Sequence, residues 1–175
     1  MSRRVSINMR LSHEDHSSAE IYVALFMIEH PELDAPLRLS TDPTERLSDE
    51  PLAYGTRSAW STPNPVEDPF LFVLASTNLP SDLEDAPAAG NLILENVDRR
   101  MVEVLRSVNT QGTLHMAVVL ASSPDQVEAE YRDMRILSAD MNAGEITVNF
   151  SRQPVEDEYY PADRMTKQRF PGMHE

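Results

Sequence analysis

Nine prolines lie between Pro31 and Pro87, with Pro63, Pro65 and Pro69 in close succession. A proline removes a backbone donor and clashes with the preceding turn of a helix, so no long helix can run through this stretch. Short strands joined by stiff turns remain. Ile21 to Ile28 is rich in β-branched and aromatic residues and reads as a strand ended by His30-Pro31. Leu37 and Leu39 suggest a second short strand, closed by Thr41-Asp42-Pro43. The run FLFVLA between Pro69 and Ser76 carries another strand signal, and Leu79 to Gly90 reads as an acidic loop.

Beyond the prolines, the block from Asn91 to Tyr131 shows element type, order and turn chemistry together. Leu92 and Leu94 alternate with Ile93 and Glu95 as a strand does. Val97, Met101, Val104, Leu105 and Val108 then recur at helical spacing, which predicts an amphipathic helix over about residues 97–107, capped by Asn96 or Asp98. Asn109 to Gly112 breaks that helix. Thr113 to Ala121 is apolar on both faces, the pattern of a strand covered from two sides. Ser123, Pro124 and Gln126 then form a helix-start signal, which predicts one or two helical turns over Asp125 to Tyr131.

Met134, Ile136 and Ser138 alternate toward Asn142-Ala143-Gly144, and Ile146, Val148 and Phe150 alternate after it, which reads as a β-hairpin with the glycine in its turn. The two ends are different. Residues 1–18 are polar, with weak alternation at Val5, Ile7, Met9 and Leu11, and read as an arm or a short edge strand. Residues 154–175 mix charges with Tyr159, Tyr160 and Phe170 between prolines, a composition that forms no core of its own. Those aromatics suit docking on another surface. The expected organisation is an N-terminal arm over 1–18, a β-rich core domain over 19–153 and an extended C-terminal arm over 154–175.

Composition narrows the function. Twenty-nine acidic against 15 basic residues leave a formal charge of −14, which repels phosphate backbones and argues against specific nucleic-acid binding. Arg3, Arg4 and Arg10 form the one basic patch, read as a solvated leader or a contact to an acidic neighbouring subunit. No cysteine is present, so disulfides and thiolate zinc sites are excluded. The longest apolar run, Ile21 to Ile28, is too short to span a bilayer as a helix, and the chain reads as a soluble product of a cytoplasm with no membrane partner.

Little in the chain is arranged for chemistry. His13-Glu14-Asp15-His16 is the one histidine and carboxylate cluster, but it lacks a third ligand and is not a metalloprotease motif. The acid runs at Asp82, Glu84 and Asp85 and at Glu156 to Glu158 lack the pattern of a calcium loop. No serine sits in a nucleophile elbow, and His30 and His115 have no evident partner. Tyr22, Tyr54 and Trp60 are candidates for a sugar-binding platform, although aromatics so far apart in sequence are more often core or interface residues. No catalytic residue, metal or cofactor is expected. A hydrolase using His13, His16 or His115, and a glycan-binding module, are the alternatives to a structural role.

Several segments together resemble one family. They are Ile28-Glu29-His30-Pro31, Pro36-Leu37-Arg38-Leu39, Leu94-Glu95-Asn96-Val97-Asp98-Arg99, Leu105-Arg106-Ser107, Ala121-Ser122-Ser123-Pro124-Asp125 with Val127-Glu128-Ala129-Glu130, and Arg169-Phe170-Pro171-Gly172. The chain from about Ile21 to Met173 resembles the short tail proteins of siphophages and prophages long carried as a domain of unknown function. That resemblance implies a non-enzymatic component of the distal tail, built near the tape-measure protein and the baseplate hub. It implies a location in the virion tail tip after assembly in the bacterial cytoplasm.

The fold expected is α+β, a mostly antiparallel β barrel or sandwich with one amphipathic helix and extended terminal arms. Its expected role is a ring of identical subunits that joins the tail tube to the hub. Tyr159, Tyr160, Arg164, Phe170 and Pro171 are the candidate subunit-interface residues on the C-terminal arm.

Overall fold

The computed structural model describes residues 5–78, 89–95, 111–142 and 144–152. The helix expected over 97–107, the arm over 154–175 and its interface candidates Tyr159, Tyr160, Arg164, Phe170 and Pro171 lie outside the described residues.

Among the described residues, one short helix, α1 (Ile7–Glu14), precedes ten strands: β1 (Tyr22–Glu29), β2 (Leu37–Ser40), β3 (Glu45–Asp49), β4 (Leu52–Thr56), β5 (Phe70–Phe72), β6 (Leu74–Asn78), β7 (Ala89–Glu95), β8 (Thr113–Leu120), β9 (Ser123–Met141) and β10 (Glu145–Arg152). All ten join one sheet in the order β3-β4-β5-β2-β1-β8-β9-β10-β7-β6. Every pairing is antiparallel except β2 with β5. The α+β class dominated by antiparallel strands is therefore present, but the sheet is not closed into a barrel.

The sheet is nevertheless coiled. Only Val73 separates β5, third in the sheet, from β6 at its far end, so one short stretch of chain lies beside both β2 and β7. The Val73 amide donates to the Ser40 carbonyl at 2.9 Å as β5 leaves β2. The inner face closes on a core in which Leu39 and Val73 pack with Phe26, Leu92, Leu94 and Phe150. Burying each of these large apolar side chains contributes about 1.5–3 kcal/mol. FLFVLA is thus two strands joined at Val73.

β1 and β8 occupy the middle of the sheet and are buried on both faces, as their unbroken apolar runs require. Phe26 and Ile28 of β1 with Leu114 and Met116 of β8 enter the inner core. Val23, Leu25, Met27, Ala117 and Val119 point the other way into a second cluster. That outer cluster is covered by Trp60 and Phe70, brought over by the proline-rich segment that follows β4.

Residues Asp125 to Tyr131 form strand, not helix. β8 needs a ladder partner on the side away from β1, and the two-residue connection Ala121-Ser122 places the chain directly beside it. The helix-start residues find another use. Leu120 pairs with Ser123 and Val119 with Val127, so Pro124 to Gln126 bulge out of the ladder, where a missing N–H costs nothing. Ala129 and Tyr131 then face the inner core while Val127 packs on the outer cluster.

The stretch Val5 to Leu11 is also corrected: it holds no strand, and Ile7–Glu14 is helical. Ser6 caps it, with its backbone extended and its hydroxyl accepting the Met9 amide at 3.1 Å. Ile7 and Leu11 alternate with polar residues, yet they are also one helical turn apart, so the pattern fits either element.

The hairpin β9–β10 forms as expected, and Gly144 lies in its turn. Two other glycines allow close approach within the sheet. A β-carbon at Gly55 would fall on the Phe70 carbonyl oxygen, and one at Gly90 would lie 2.7 Å from the Phe150 ring.

Candidate functional site

The densest set of side-chain interactions lies on the outer face, where residues 57–69 cross β1, β8 and β9. This segment has no regular structure and three prolines, so its position depends on what it is tied to. Trp60 is its anchor. The indole is 5% exposed, stacks on Phe70 with ring centroids 5.7 Å apart, and completes the outer cluster. Its Nε1–H donates to Glu130 Oε1 at 2.8 Å, the bond a buried indole needs.

Arg132 Nε donates to the same Glu130 oxygen at 2.6 Å, and its guanidinium carbon is 5.9 Å from the Trp60 ring centroid. Burial pushes the Glu130 carboxyl upward, but the hydrogen bonds from Trp60 and Arg132 and the charge of Arg132 outweigh it and hold the group below its usual value. Glu130 is an ionised acceptor.

Upstream, Ser58 Oγ donates to the Pro124 carbonyl at 2.6 Å and the Ala59 amide donates to Asp125 Oδ1 at 2.7 Å. The bulge of Pro124 to Gln126 therefore grips the segment just before Trp60. Downstream, Asp68 accepts from Thr62 Oγ1 at 3.1 Å and from Arg38 Nη1 at 3.4 Å. Ties at both ends and an aromatic plug between them seat the segment on the sheet.

His115 lies on the same face of β8 and is 6% exposed. Its Nδ1 accepts the Asp133 amide at 3.2 Å, so the neutral ring carries its proton on Nε2, 3.7 Å from Glu29 Oε2. Asp133 has φ 57°, and the register of β8 on β9 shifts beside it between Leu114 and Met116. The imidazole thus satisfies a backbone donor that the bulge has turned out of the ladder. Among the described residues, no hydroxyl is hydrogen-bonded to either nitrogen.

A second set of contacts holds α1. The Ser6 amide donates to Glu128 Oε2 at 2.8 Å, while Ser12 Oγ and the Tyr22 hydroxyl are 2.8 Å apart. His13 and Tyr22 have ring centroids 5.8 Å apart. Glu128 is buried, and its Oε1 has no hydrogen-bond partner among the described residues. Between α1 and the start of β1 lies an open cleft of about 460 Å³, with Leu11, Asp15, Glu20 and Ile21 in its lining. No residue of α1 is buried.

The sugar-platform candidates are not brought together as exposed rings, because Trp60 is in the core while Tyr22 and Tyr54 are half exposed. Among the described residues, no group of three or more His, Asp or Glu side chains could hold a metal ion, His13 and His16 included. No described helix is long and apolar enough to cross a membrane. The Trp60–Glu130 pairing joins residues 70 apart, and no local pattern marks it. Only the solitary tryptophan in a proline-rich segment hinted at an anchor.

No protein-family model matches this sequence, and no curated protein matches it.

Proposed function

We propose that the chain is a structural subunit of a bacteriophage tail tip, which closes with copies of itself into a ring between the tail tube and the hub. One observation carries the reading. In the segments that resemble the tail family around β9, Asp125 and Glu130 both hold the 57–69 segment, at Ala59 and Trp60, while Glu128 holds the start of α1 at Ser6. They fasten loops and helix to the sheet and do not converge on a cavity. A scaffold that must present fixed surfaces to neighbours needs such fasteners, whereas an active site needs convergent groups.

The charge of −14 suits a passage for DNA, since an acidic lumen does not trap the polyanion. Ring closure uses a heterologous contact repeated by rotation, and the aromatic residues Tyr159, Tyr160 and Phe170 of the C-terminal arm, with Arg164 and Pro171, are the proposed contacts to the next subunit. Tape-measure and hub proteins are the proposed neighbours along the tail axis. Deletion of residues 154–175 from the phage gene tests the arm: tailless or unsealed particles are expected, and normal infectious virions contradict it.

A further inference from the structure

We propose that the free edge of β6 is a self-association surface, at which two copies of this chain pair their β6 strands antiparallel about a two-fold axis at Ser76. The two ends of the sheet, β3 and β6, differ in how they are protected. An edge strand presents unpaired N–H and C=O groups and invites pairing unless charge, proline or a bulge prevents it.

β3 has such protection. Its sequence ERLSD carries three charges, its register shifts between Arg46 and Ser48, and Arg57 reaches over it, bonding Glu45 and donating to the Leu47 carbonyl at 3.3 Å. Among the described residues, β6 has none of these devices. Its sequence LASTN holds no charge and no proline, and its register on β7 is unbroken from Leu74 opposite Glu95 to Asn78 opposite Asn91. Among the described residues, no strand pairs with its outer side.

Charge selects the occupant. A second copy brings another −14, so it approaches best along a neutral strip. Antiparallel pairing of β6 about Ser76 sets Leu74 against Asn78 and Ala75 against Thr77, with no like charges opposed. The same operation on β3 about Leu47 would set Glu45 against Asp49, two acids directly opposite, which is unfavourable. Leu74, Ser76 and Asn78 are the exposed positions of β6, and across a two-fold axis Leu74 gains a neighbour for its apolar surface. The pairing is isologous, so it is separate from the heterologous contact of a ring and stands whether or not the ring forms.

The chain has no cysteine, so a single introduced thiol reports on the axis. Directly opposed residues in an antiparallel pair have α-carbons about 4.5–5.5 Å apart, within disulfide reach. The full-length protein is followed by light scattering over a dilution series, and Ser76→Cys and the control Ser48→Cys on β3 are oxidised in parallel. A dimer that dissociates on dilution, a cross-linked dimer from Ser76→Cys and none from Ser48→Cys are expected. Ser76→Lys, an exposed substitution, is expected to be monomeric and to re-form dimers when mixed with Ser76→Glu. A protein monomeric at every concentration, or a dimer that Ser76→Lys leaves intact, overturns the proposal.

Discussion

Replacing Trp60 tests whether the segment over 57–69 is held by the anchor described above. Trp60→Ala removes a side chain that is 5% exposed and stacked on Phe70, leaving a void among Val23, Leu25, Met27, Ala117 and Val119. Such truncations cost about 3–5 kcal/mol. Trp60→Phe keeps a ring against Phe70 but deletes the Nε1–H that Glu130 accepts, and the half-exposed carboxylate can turn to water instead. Its expected cost is smaller, about 1–2 kcal/mol. Urea unfolding is the assay, followed by circular dichroism because Trp60 is the sole tryptophan and its removal abolishes the fluorescence signal. With a slope of about 2 kcal/mol per M, Trp60→Ala moves the midpoint down by about 2 M and Trp60→Phe by less than about 1 M. A Trp60→Ala midpoint indistinguishable from the parent would refute the anchor. Equal losses for the two variants would show that the ring stack contributes nothing.

Three further outcomes follow from named contacts. Gly55→Ala drives a β-carbon onto the Phe70 carbonyl oxygen and is expected to cost about 1–3 kcal/mol or more, read as a lowered urea midpoint. Because the folded Glu130 carboxyl titrates below its unfolded value, its stabilisation is present above the ordinary carboxylate range and is lost as pH falls through that range toward the folded value. Stability is expected to decline on acidification, and less steeply in Glu130→Gln, which a pH series of thermal melts measures. Glu128→Ala unties the Ser6 amide, so hydrogen exchange in Ile7–Glu14 should quicken about tenfold, or about 1.4 kcal/mol, while the amides of β1 and β8 keep their protection.

Strands with long apolar runs were legible from sequence because burial on both faces leaves a compositional mark, as in Tyr22–Glu29 and Thr113–Leu120. The β9–β10 hairpin was legible through its alternation and its glycine turn. β3 and β4 carry few apolar residues and sit at the sheet end, so nothing in ERLSD or LAYGT separates them from loop. The residues Ser123 to Gln126 are good helix starters by local rule, but the ladder demand of β8 overrides that preference, and local sequence cannot express it. The same holds for the outer face. Glu130, Arg132 and His115 are ordinary strand residues until Trp60 and the Asp133 bulge arrive from elsewhere in the chain.

The proposed ring at the tail tip is tested most directly by locating the chain in purified virions. Particles carrying an epitope-tagged copy, labelled with antibody and averaged by electron microscopy, are expected to show label confined to the distal end of the tail, with rotational symmetry in the ring that bears it. A tagged chain that is abundant in the lysate but absent from purified infectious particles would contradict a structural role in the tail.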